Sequence, residues 1–159
     1  GDVKVADENE VKENWEKIKL NKGSKSVLGG VPNSLPSLVK AFRIQEKARG
    51  VGFEWDTKEQ VWEKVIEELK EFETETIKNS SKNDIEEEFG DLLFALVNYG
   101  RFMNINAENA LEKTNKKFIR RFIAMEEMAK LNNQKFENLN LEQQDGLWNE
   151  VKKQEKKST

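Results

Sequence analysis

Both prolines of this 159-residue chain, Pro32 and Pro36, lie close together near its start, and none follows them. Only nine glycines are present, so few positions can break a helix. A β-sandwich or barrel would need turn residues at short, regular intervals. Nine Phe and four Trp residues supply apolar area that a disordered chain of this charge would lack. The chain is therefore predicted to be all-α, with long amphipathic helices.

The absence of cysteine and histidine limits the chemistry that the chain can perform. It excludes disulfides, thiol nucleophiles, Ser-His-Asp triads, imidazole bases and the usual zinc sites. Catalysis would have to use carboxylates, Lys, Arg, hydroxyls and a hard, oxygen-binding metal. The net charge of −3 disfavours nucleic acid as a partner. No apolar run approaches the roughly 18 residues of a membrane span. No signal peptide is recognisable, so no membrane partner is expected and the expected compartment is the cytoplasm.

Hydrophobic periodicity and capping residues predict six helices and no strand. Their approximate ranges are 7–22, 34–48, 57–79, 84–103, 107–131 and 140–157. Ser34 is predicted to cap the second helix. Capping boxes are predicted for the third helix and the last helix, at Thr57 with Gln60 and at Asn140 with Gln143.

Two acidic motifs lie on neighbouring predicted helices: residues 67–71 read Glu-Glu-Leu-Lys-Glu and residues 88–91 read Glu-Phe-Gly-Asp. In a chain so rich in Glu, neither motif is convincing by frequency alone. The predicted helix at 57–79, which carries the first of these motifs, nevertheless has one apolar stripe. At about 100° per residue, Glu68 projects at the edge of that stripe and Glu67 points further out. The stripe consists of Val61, Trp62, Val65, Ile66, Leu69 and Phe72.

The helix at residues 84–103 is apolar almost all round, which predicts burial on several sides. Because one hairpin partner cannot cover it, a homodimer or a higher homo-oligomer is predicted. One strip of this helix is nevertheless polar, and it consists of Asp84, Glu88, Asp91 and Asn98. Acidic groups on a buried helix are costly unless they are paired or bound to a metal. The strip therefore marks a candidate functional site.

Hairpin geometry predicts which residues of these helices lie level with each other. In an antiparallel pair, residues equally distant from the turn lie at the same height, and Glu71 and Glu88 are symmetric about a turn near residue 79. Reflection through the next turn, near residues 104–106, places three cations level with the acids: Lys117, Arg120 and Arg121. Carboxylates with cations beside them are suited to a Mg²⁺-phosphate site. The alternative is that Arg120 and Arg121 are ion-pair partners of those acids.

A series of segments along the chain carries a family resemblance. They are Ser26-Val27-Leu28-Gly29-Gly30-Val31-Pro32, Leu35-Pro36, Gln45-Glu46-Lys47-Ala48, Val51-Gly52-Phe53-Glu54-Trp55, Lys64-Val65-Ile66-Glu67-Glu68, Glu87-Glu88-Phe89-Gly90-Asp91-Leu92-Leu93-Phe94, Val97-Asn98 and Asn115-Lys116-Lys117-Phe118-Ile119-Arg120-Arg121-Phe122. In this order and register, which extends from about residue 26 to residue 151, they resemble the MazG-type nucleoside triphosphate pyrophosphohydrolases. The chain looks like the second, C-terminal catalytic domain of a two-domain member. Residues 1–33 would then be an N-terminal helix and linker leading out of a missing first domain, and residues 34–159 the catalytic helical domain.

The resemblance implies the all-α helical bundle of the nucleoside triphosphate pyrophosphohydrolase type, packed as a homodimer or a higher homo-oligomer. It also implies hydrolysis of (deoxy)nucleoside triphosphates to monophosphate and pyrophosphate, with Mg²⁺ as cofactor and Mn²⁺ as the alternative. By motif position, the implied metal ligands are Glu68, Glu71, Glu88 and Asp91. The implied nucleotide contacts are Lys64, Lys117, Arg120 and Arg121 on the triphosphate and Trp148, which would stack on the base.

Several of these assignments have alternatives. Trp148 could instead anchor the last helix, and Lys64 could be a simple i,i+4 partner of Glu68. The apolar loops at residues 27–31 and 50–55 could either line a base pocket, with Phe53 or Trp55 as a platform, or pack in a dimer interface. Water is expected to attack the α-phosphorus, with Glu67 as the candidate catalytic base because it adjoins the implied ligands and no histidine is present.

Two rival functions remain. One is a non-catalytic helical-bundle interaction domain, which would need neither an acidic strip on a buried helix nor cations at its height. The other is a related helical pyrophosphohydrolase with a narrower substrate, such as dUTP or phosphoribosyl-ATP. Residues 50–55 and 116–122 resemble the MazG type more closely than these relatives.

Overall fold

The computed structural model describes residues 26–158, so the predicted helix at 7–22 lies outside the described residues. The described chain is helical and contains no strand, which confirms the predicted all-α class. Its five α-helices are α1 (Ser37–Gly50), α2 (Lys58–Ile77), α3 (Lys82–Phe102), α4 (Ala107–Leu131) and α5 (Leu141–Lys157). Two short 3-10 helices, Val27–Gly30 and Phe136–Asn138, precede α1 and α5. The chain divides into two compact units, of which the first ends at Glu108 and the second begins at Asn109.

The first unit is built on the hairpin of α2 and α3, and α1 packs against α3. Val65 of α2 and Leu92 and Ala95 of α3 form its buried core, and Phe72 and Tyr99 pack against that core. Burial of a Val or Leu side chain contributes roughly 1.5–3 kcal/mol. These contacts fix the register of α2 against α3.

The helix starts depend on local capping. Thr57 Oγ1 accepts the amide hydrogen of Gln60 and Gln60 Oε1 accepts that of Thr57, so the predicted capping box opens α2. The equivalent box at Asn140 and Gln143 opens α5, also as predicted. The prediction for Ser34 is wrong, because this residue lies in a turn and α1 begins at Ser37 without a side-chain cap.

The ends of α2, α3 and α4 share one device. An asparagine with a positive φ follows each helix: Asn79 (φ 55°), Asn104 (φ 57°) and Asn133 (φ 54°). After each of them, the next amide donates to a carbonyl five residues earlier, over 3.2, 2.8 and 2.9 Å respectively. This is the Schellman arrangement, in which a left-handed residue satisfies the last carbonyls of a helix. Asn tolerates this conformation better than other non-glycine residues, so a chain poor in glycine can still end its helices sharply.

The 27–31 segment, predicted to be a loop, folds as a single 3-10 turn. Ser26 Oγ accepts the amide hydrogen of Leu28 over 3.1 Å at its start, and the amide of Val31 donates to the Leu28 carbonyl at its end. The interpretation as a loop is therefore corrected to a short helical turn, which remains too brief to bury a face of its own.

In the second unit, α4 and α5 meet through aromatic rings. The Phe118 ring lies 5.9 Å from that of Phe122 and 5.7 Å from that of Trp148, and Phe122 contacts Phe136 edge-on at 5.0 Å. These centroid distances lie in the favourable range for aromatic pairs. Trp148 thus has the structural role of anchoring the last helix that the sequence analysis left open.

The hairpin leaves an apolar face exposed within residues 26–158. The exposed apolar face, as defined here, consists of Trp62, Ile66 and Leu69 on α2 and Phe89, Leu93 and Leu96 on α3, each 36–50% exposed. Both triplets follow the i, i+4, i+7 spacing of one helix side. The predicted burial of α3 on several sides is therefore not seen among the described residues. None of the described helices combines the length and apolar character that a membrane span requires.

Candidate active site

Three of the four predicted metal ligands come together across the hairpin. Glu68 and Glu71 lie almost one turn apart on α2, and Glu88 lies on α3. One carboxylate oxygen of each lies within 4.8 Å of the other two. The height match of Glu71 and Glu88, predicted from their symmetry about the turn, is thus confirmed. We call these three residues the carboxylate cluster.

Burial makes this cluster unusual. Glu68 is only 7% exposed, as expected for a residue at the edge of the apolar stripe. Glu68 Oε2 and Glu88 Oε2 are shielded from solvent and, within the described part of the chain, accept no hydrogen bond. A buried acceptor without a donor costs roughly 1–3 kcal/mol, and more when it is charged. The cluster is therefore short of positive charge or donors.

The pKa values of two carboxyl groups in the cluster are raised by burial and by neighbouring negative charges. The neighbouring Glu68 charge raises the pKa of the Glu71 carboxyl above its ordinary value. Burial raises the pKa of the Glu88 carboxyl, and the charges of Asp91 and Glu68 add to the effect. Crowded carboxylates favour the protonated form in the absence of a cation, and a bound cation reverses that preference.

Lys64 contacts two of the acidic residues on its own helix. Its Nζ lies 3.0 Å from Glu68 Oε1 and 3.4 Å from Glu67 Oε2. The hydrogen bond to Glu68 raises the pKa of Lys64, so the ammonium stays charged. The i,i+4 partnership considered from the sequence is therefore present. The Glu67 side chain is 55% exposed, which agrees with its predicted outward direction.

Asp91 lies outside the carboxylate cluster, but it lines a cavity next to it. The cavity has a volume of about 730 Å³, and Lys64 and Glu68 also line it. Its other walls are mainly apolar and come from α1, α3 and the segment before α2: Ile44, Ala48, Phe53, Trp55, Phe94 and Ala95. The structure thus places Phe53 and Trp55, the predicted platform residues, at this cavity. Apolar walls with a few convergent polar groups are typical of small-molecule sites.

A buried arginine that was not predicted from the sequence lies in the wall of this cavity. Arg101 Nη2 donates to Glu54 Oε1 over 2.7 Å and to Asn98 Oδ1 over 2.8 Å, and its side chain is only 6% exposed. Arg101 Nε donates to the same Asn98 oxygen over 3.1 Å. The available signal was a basic residue in a nearly continuous apolar helix, together with an acidic residue in an apolar segment. Both patterns indicate a buried ion pair.

The predicted phosphate-binding cations on α4 have a different carboxylate partner. Arg121 Nη2 lies 2.9 Å and Arg120 Nη2 lies 3.4 Å from the carboxylate of Glu155 on α5. The Arg121 hydrogen bond holds the pKa of Glu155 below its usual range. The Arg121 guanidinium also lies 5.2 Å from the centre of the Trp148 ring. Both arginines are therefore paired within the second unit, and Lys117 is exposed on the same helix.

Comparison with known proteins places this architecture in a family. The MazG nucleotide pyrophosphohydrolase domain matches residues 56–125, which include the whole carboxylate cluster. A Thermotoga maritima protein named nucleoside triphosphate pyrophosphohydrolase/pyrophosphatase MazG is 43% identical over 87% of this chain and 54% of its own length. An Escherichia coli nucleoside triphosphate pyrophosphohydrolase is 38% identical over 97% of this chain and 60% of its own length.

A third relative, the Bacillus subtilis protein YabN, has a name that states no activity. It is 48% identical over 99% of this chain but only 33% of its own length. The chain thus spans between a third and three fifths of the curated relatives it matches. Taken with the helical hairpin and its clustered carboxylates, these matches show a MazG nucleotide pyrophosphohydrolase domain at residues 56–125.

Proposed function

We propose that the chain hydrolyses (deoxy)nucleoside triphosphates to the monophosphate and pyrophosphate in a reaction that depends on a divalent cation. The observation that carries the proposal is the carboxylate cluster at the edge of an apolar cavity. The cluster offers oxygen ligands for a cation, and the cavity offers apolar walls for a nucleoside. The names of the Thermotoga and Escherichia relatives point to the same activity.

Mg²⁺ fits the donor set, and Mn²⁺ is the alternative. Glu68, Glu71 and Glu88 would hold the cation, because hard divalent ions prefer carboxylate oxygens and two of these oxygens lack any described donor. Asp91, nearly one turn from Glu88 on α3, is proposed as a further ligand. When bound, such a cation polarises phosphate oxygens and offsets the charge of the pyrophosphate leaving group.

The cationic side chains are proposed to bind the triphosphate. The Lys64 ammonium lies beside Glu68 and would neutralise a phosphate oxygen near the cation. Lys117, Arg120 and Arg121 are proposed as further phosphate contacts. Because Arg120 and Arg121 pair with Glu155 in the structure, phosphate would compete with that carboxylate. Trp148 is proposed to stack on the base, in competition with its own packing against Phe118.

Glu67 is proposed as the catalytic base. As the oxygen of the attacking water bonds to the α-phosphorus, the bond from that phosphorus to the pyrophosphate oxygen breaks and the water proton needs an acceptor. Glu67 adjoins Glu68 along the chain but lies outside the carboxylate cluster, so it keeps its carboxylate for a proton. Glu67 also contacts Lys64, which lines the cavity.

A homodimer is proposed as the functional assembly. The exposed apolar face on α2 and α3 would be buried by a second copy of the same face, which suits an isologous dimer. A higher homo-oligomer is the alternative, and the expected compartment remains the cytoplasm.

The proposed activity is tested by product analysis. The protein is incubated with ribo- and deoxyribonucleoside triphosphates and Mg²⁺, and phosphorus NMR distinguishes pyrophosphate from diphosphate and orthophosphate. We expect monophosphate and pyrophosphate from the parent, and at least a hundredfold loss in Glu88→Gln. Glu86→Gln is the matched control, because Glu86 is an exposed neighbour of the same type.

Three results would contradict the proposal. Release of orthophosphate would mean that a different bond is broken. Cleavage of dUTP or phosphoribosyl-ATP alone would favour the narrower enzyme class. No cleavage by the folded protein, with either cation, would favour an interaction domain.

A further inference from the structure

Two side-chain amides in the cavity wall are locked in defined orientations. Gln45 Nε2 donates to the backbone carbonyl of Phe94 over 3.0 Å. A carbonyl can only accept, so the amino group of Gln45 must face it and the Oε1 acceptor must point elsewhere. Asn98 Oδ1 accepts two hydrogen bonds from Arg101, which can only donate. The Nδ2 amino group of Asn98 is therefore the half that remains available.

The two remaining halves differ in burial but border the same cavity. Gln45 is only 6% exposed, and its Oε1 is buried and has no partner among the described residues. No hydrogen bond of Asn98 Nδ2 is found within residues 26–158 either. Both residues line the cavity that Lys64, Glu68 and Asp91 border. A buried acceptor left without a donor is unfavourable, so a ligand that supplies the donor is selected strongly.

We propose that Gln45 and Asn98 read the hydrogen-bonding edge of the nucleobase, Gln45 as acceptor and Asn98 as donor. The inference rests on the proposed function for the kind of substrate. Each standard base offers such an edge: N6–H and N1 in adenine, N4–H and N3 in cytosine, N1–H and O6 in guanine, N3–H and O4 in uracil or thymine. The pair therefore tolerates all standard bases and rejects a base that lacks the donor.

Binding of uncleavable nucleotides tests this pair without turnover. The probes are the α,β-methylene triphosphates of adenosine and of purine riboside, which lacks the 6-amino donor, with Mg²⁺ present. Calorimetry gives Kd, and intrinsic tryptophan fluorescence, to which Trp55 in the cavity wall contributes, gives a second readout. We expect the parent protein to bind the adenosine probe about ten- to a hundredfold more tightly than the purine probe.

Substitution of each amide separates the two roles. Gln45→Met should lower affinity for the adenosine probe to that for the purine probe, while the Phe94 carbonyl keeps its helix bond. Gln144→Met is the matched control, because Gln144 also donates to a backbone carbonyl, at Phe136, and is not one of the residues that line the cavity. Asn98→Asp keeps the acceptor for Arg101 but replaces the donor with a second acceptor. Relative binding affinity should therefore move from adenosine towards guanosine nucleotides, because guanine has two adjacent donors at N1 and N2.

Failure of this inference is distinguishable from failure of the proposed function. If triphosphates are cleaved but the parent binds both probes within about twofold, the base-reading pair is wrong and the activity stands. If the probes are discriminated but no triphosphate is cleaved, the pair stands as part of a nucleotide-binding site. If a thermal melt shows that Gln45→Met does not fold, the test rests on Asn98→Asp. Unchanged relative affinity of that variant for adenosine and guanosine nucleotides would overturn the proposal that this pair reads the base.

Discussion

Arg101 of α3 holds Glu54, in the segment between α1 and α2, through a hydrogen bond of 2.7 Å. The two residues are 47 positions apart in the chain, and the contact ties the wall segment that carries Phe53 and Trp55 to the hairpin. Arg49 also contacts Glu54, but over a longer distance of 3.5 Å. Arg101 is therefore the main connection between this wall of the cavity and α3.

Arg101→Met is expected to destabilise the fold by about 2–4 kcal/mol, because it removes the short hydrogen bond to Glu54 and both donors to the Asn98 oxygen. Glu54→Gln should cost less, since the amide oxygen can still accept from Arg101. Urea unfolding of both variants measures the difference. A loss below about 0.5 kcal/mol for Arg101→Met would mean that the contact contributes little in solution.

Metal should stabilise the protein in the absence of any nucleotide. Mg²⁺ at a hundredfold excess over its Kd should add about 2.7 kcal/mol to the free energy of unfolding. In Glu88→Gln this gain should largely disappear. Thermal melts in EDTA and in Mg²⁺ measure it, with Glu86→Gln as the control that should respond like the parent. An unchanged melting temperature of the parent in Mg²⁺ would contradict a cation site at the carboxylate cluster.

In the absence of metal, the Glu88 charge should make the parent less stable than Glu88→Gln. The raised pKa values of Glu71 and Glu88 mean that ionisation is less favourable in the folded chain than in the unfolded chain. Their contribution to stability therefore falls as the pH rises through the folded values. In EDTA at neutral pH, Glu88→Gln should melt at a higher temperature than the parent, and the order should reverse in Mg²⁺. A variant that is less stable under both conditions would contradict the inferred repulsion.

Acid should weaken the contact between α4 and α5. Because Arg121 lowers the pKa of Glu155, the stability from this pair is fully present above the ordinary carboxyl value of 4.5 and is lost as the pH falls through the lowered folded value. Glu155→Gln should be less stable than the parent at pH 7, and this gap should close as the pH falls through the lowered pKa of Glu155. Urea titrations followed by far-ultraviolet circular dichroism measure this convergence. Glu150→Gln on the same helix is the control, and a constant gap across the pH range would contradict the pairing.

The proposed homodimer makes a separate prediction. Leu93→Glu places a charge in the exposed apolar face, which should dissociate the dimer and raise its Kd by at least tenfold. Leu141→Glu is the control, because Leu141 on α5 is 72% exposed and lies outside that face. Sedimentation velocity over a range of concentrations measures both. A parent protein that sediments as a monomer at all concentrations would overturn the assembly.

The parts of the structure that were predictable are those with local or periodic causes. The capping boxes at Thr57 and Asn140 depend on residues three positions apart, so the sequence specifies them directly. The meeting of Glu71 with Glu88 follows from helix rise and a short turn, and the two carboxylates do lie together in the structure. Ser34 failed as a cap because a serine close to Pro36 can equally well occupy a turn.

The parts that escaped prediction depend on the path of the chain between helices. The Arg101–Glu54 contact requires the segment after α1 to cross back over α3, which no periodicity encodes. The partner of Arg121 was missed for the same reason, because Glu155 reaches it only once the last helix has folded back. The orientation of Gln45 likewise depends on a carbonyl 49 residues away.

Because Asn79, with its positive φ, follows the end of α2, the number of residues between the acidic side chains of α2 and α3 is constrained in evolution. One residue inserted between Glu71 and Asn79 would rotate the α2 carboxylates by about 100° and shift them by about 1.5 Å relative to α3. Residues between Glu71 and Glu88 can therefore be exchanged for others of similar character, but they cannot be added or removed singly without separating the carboxylate oxygens. Length variation among descendants of this sequence should accumulate outside that interval, where exposed chain tolerates insertions.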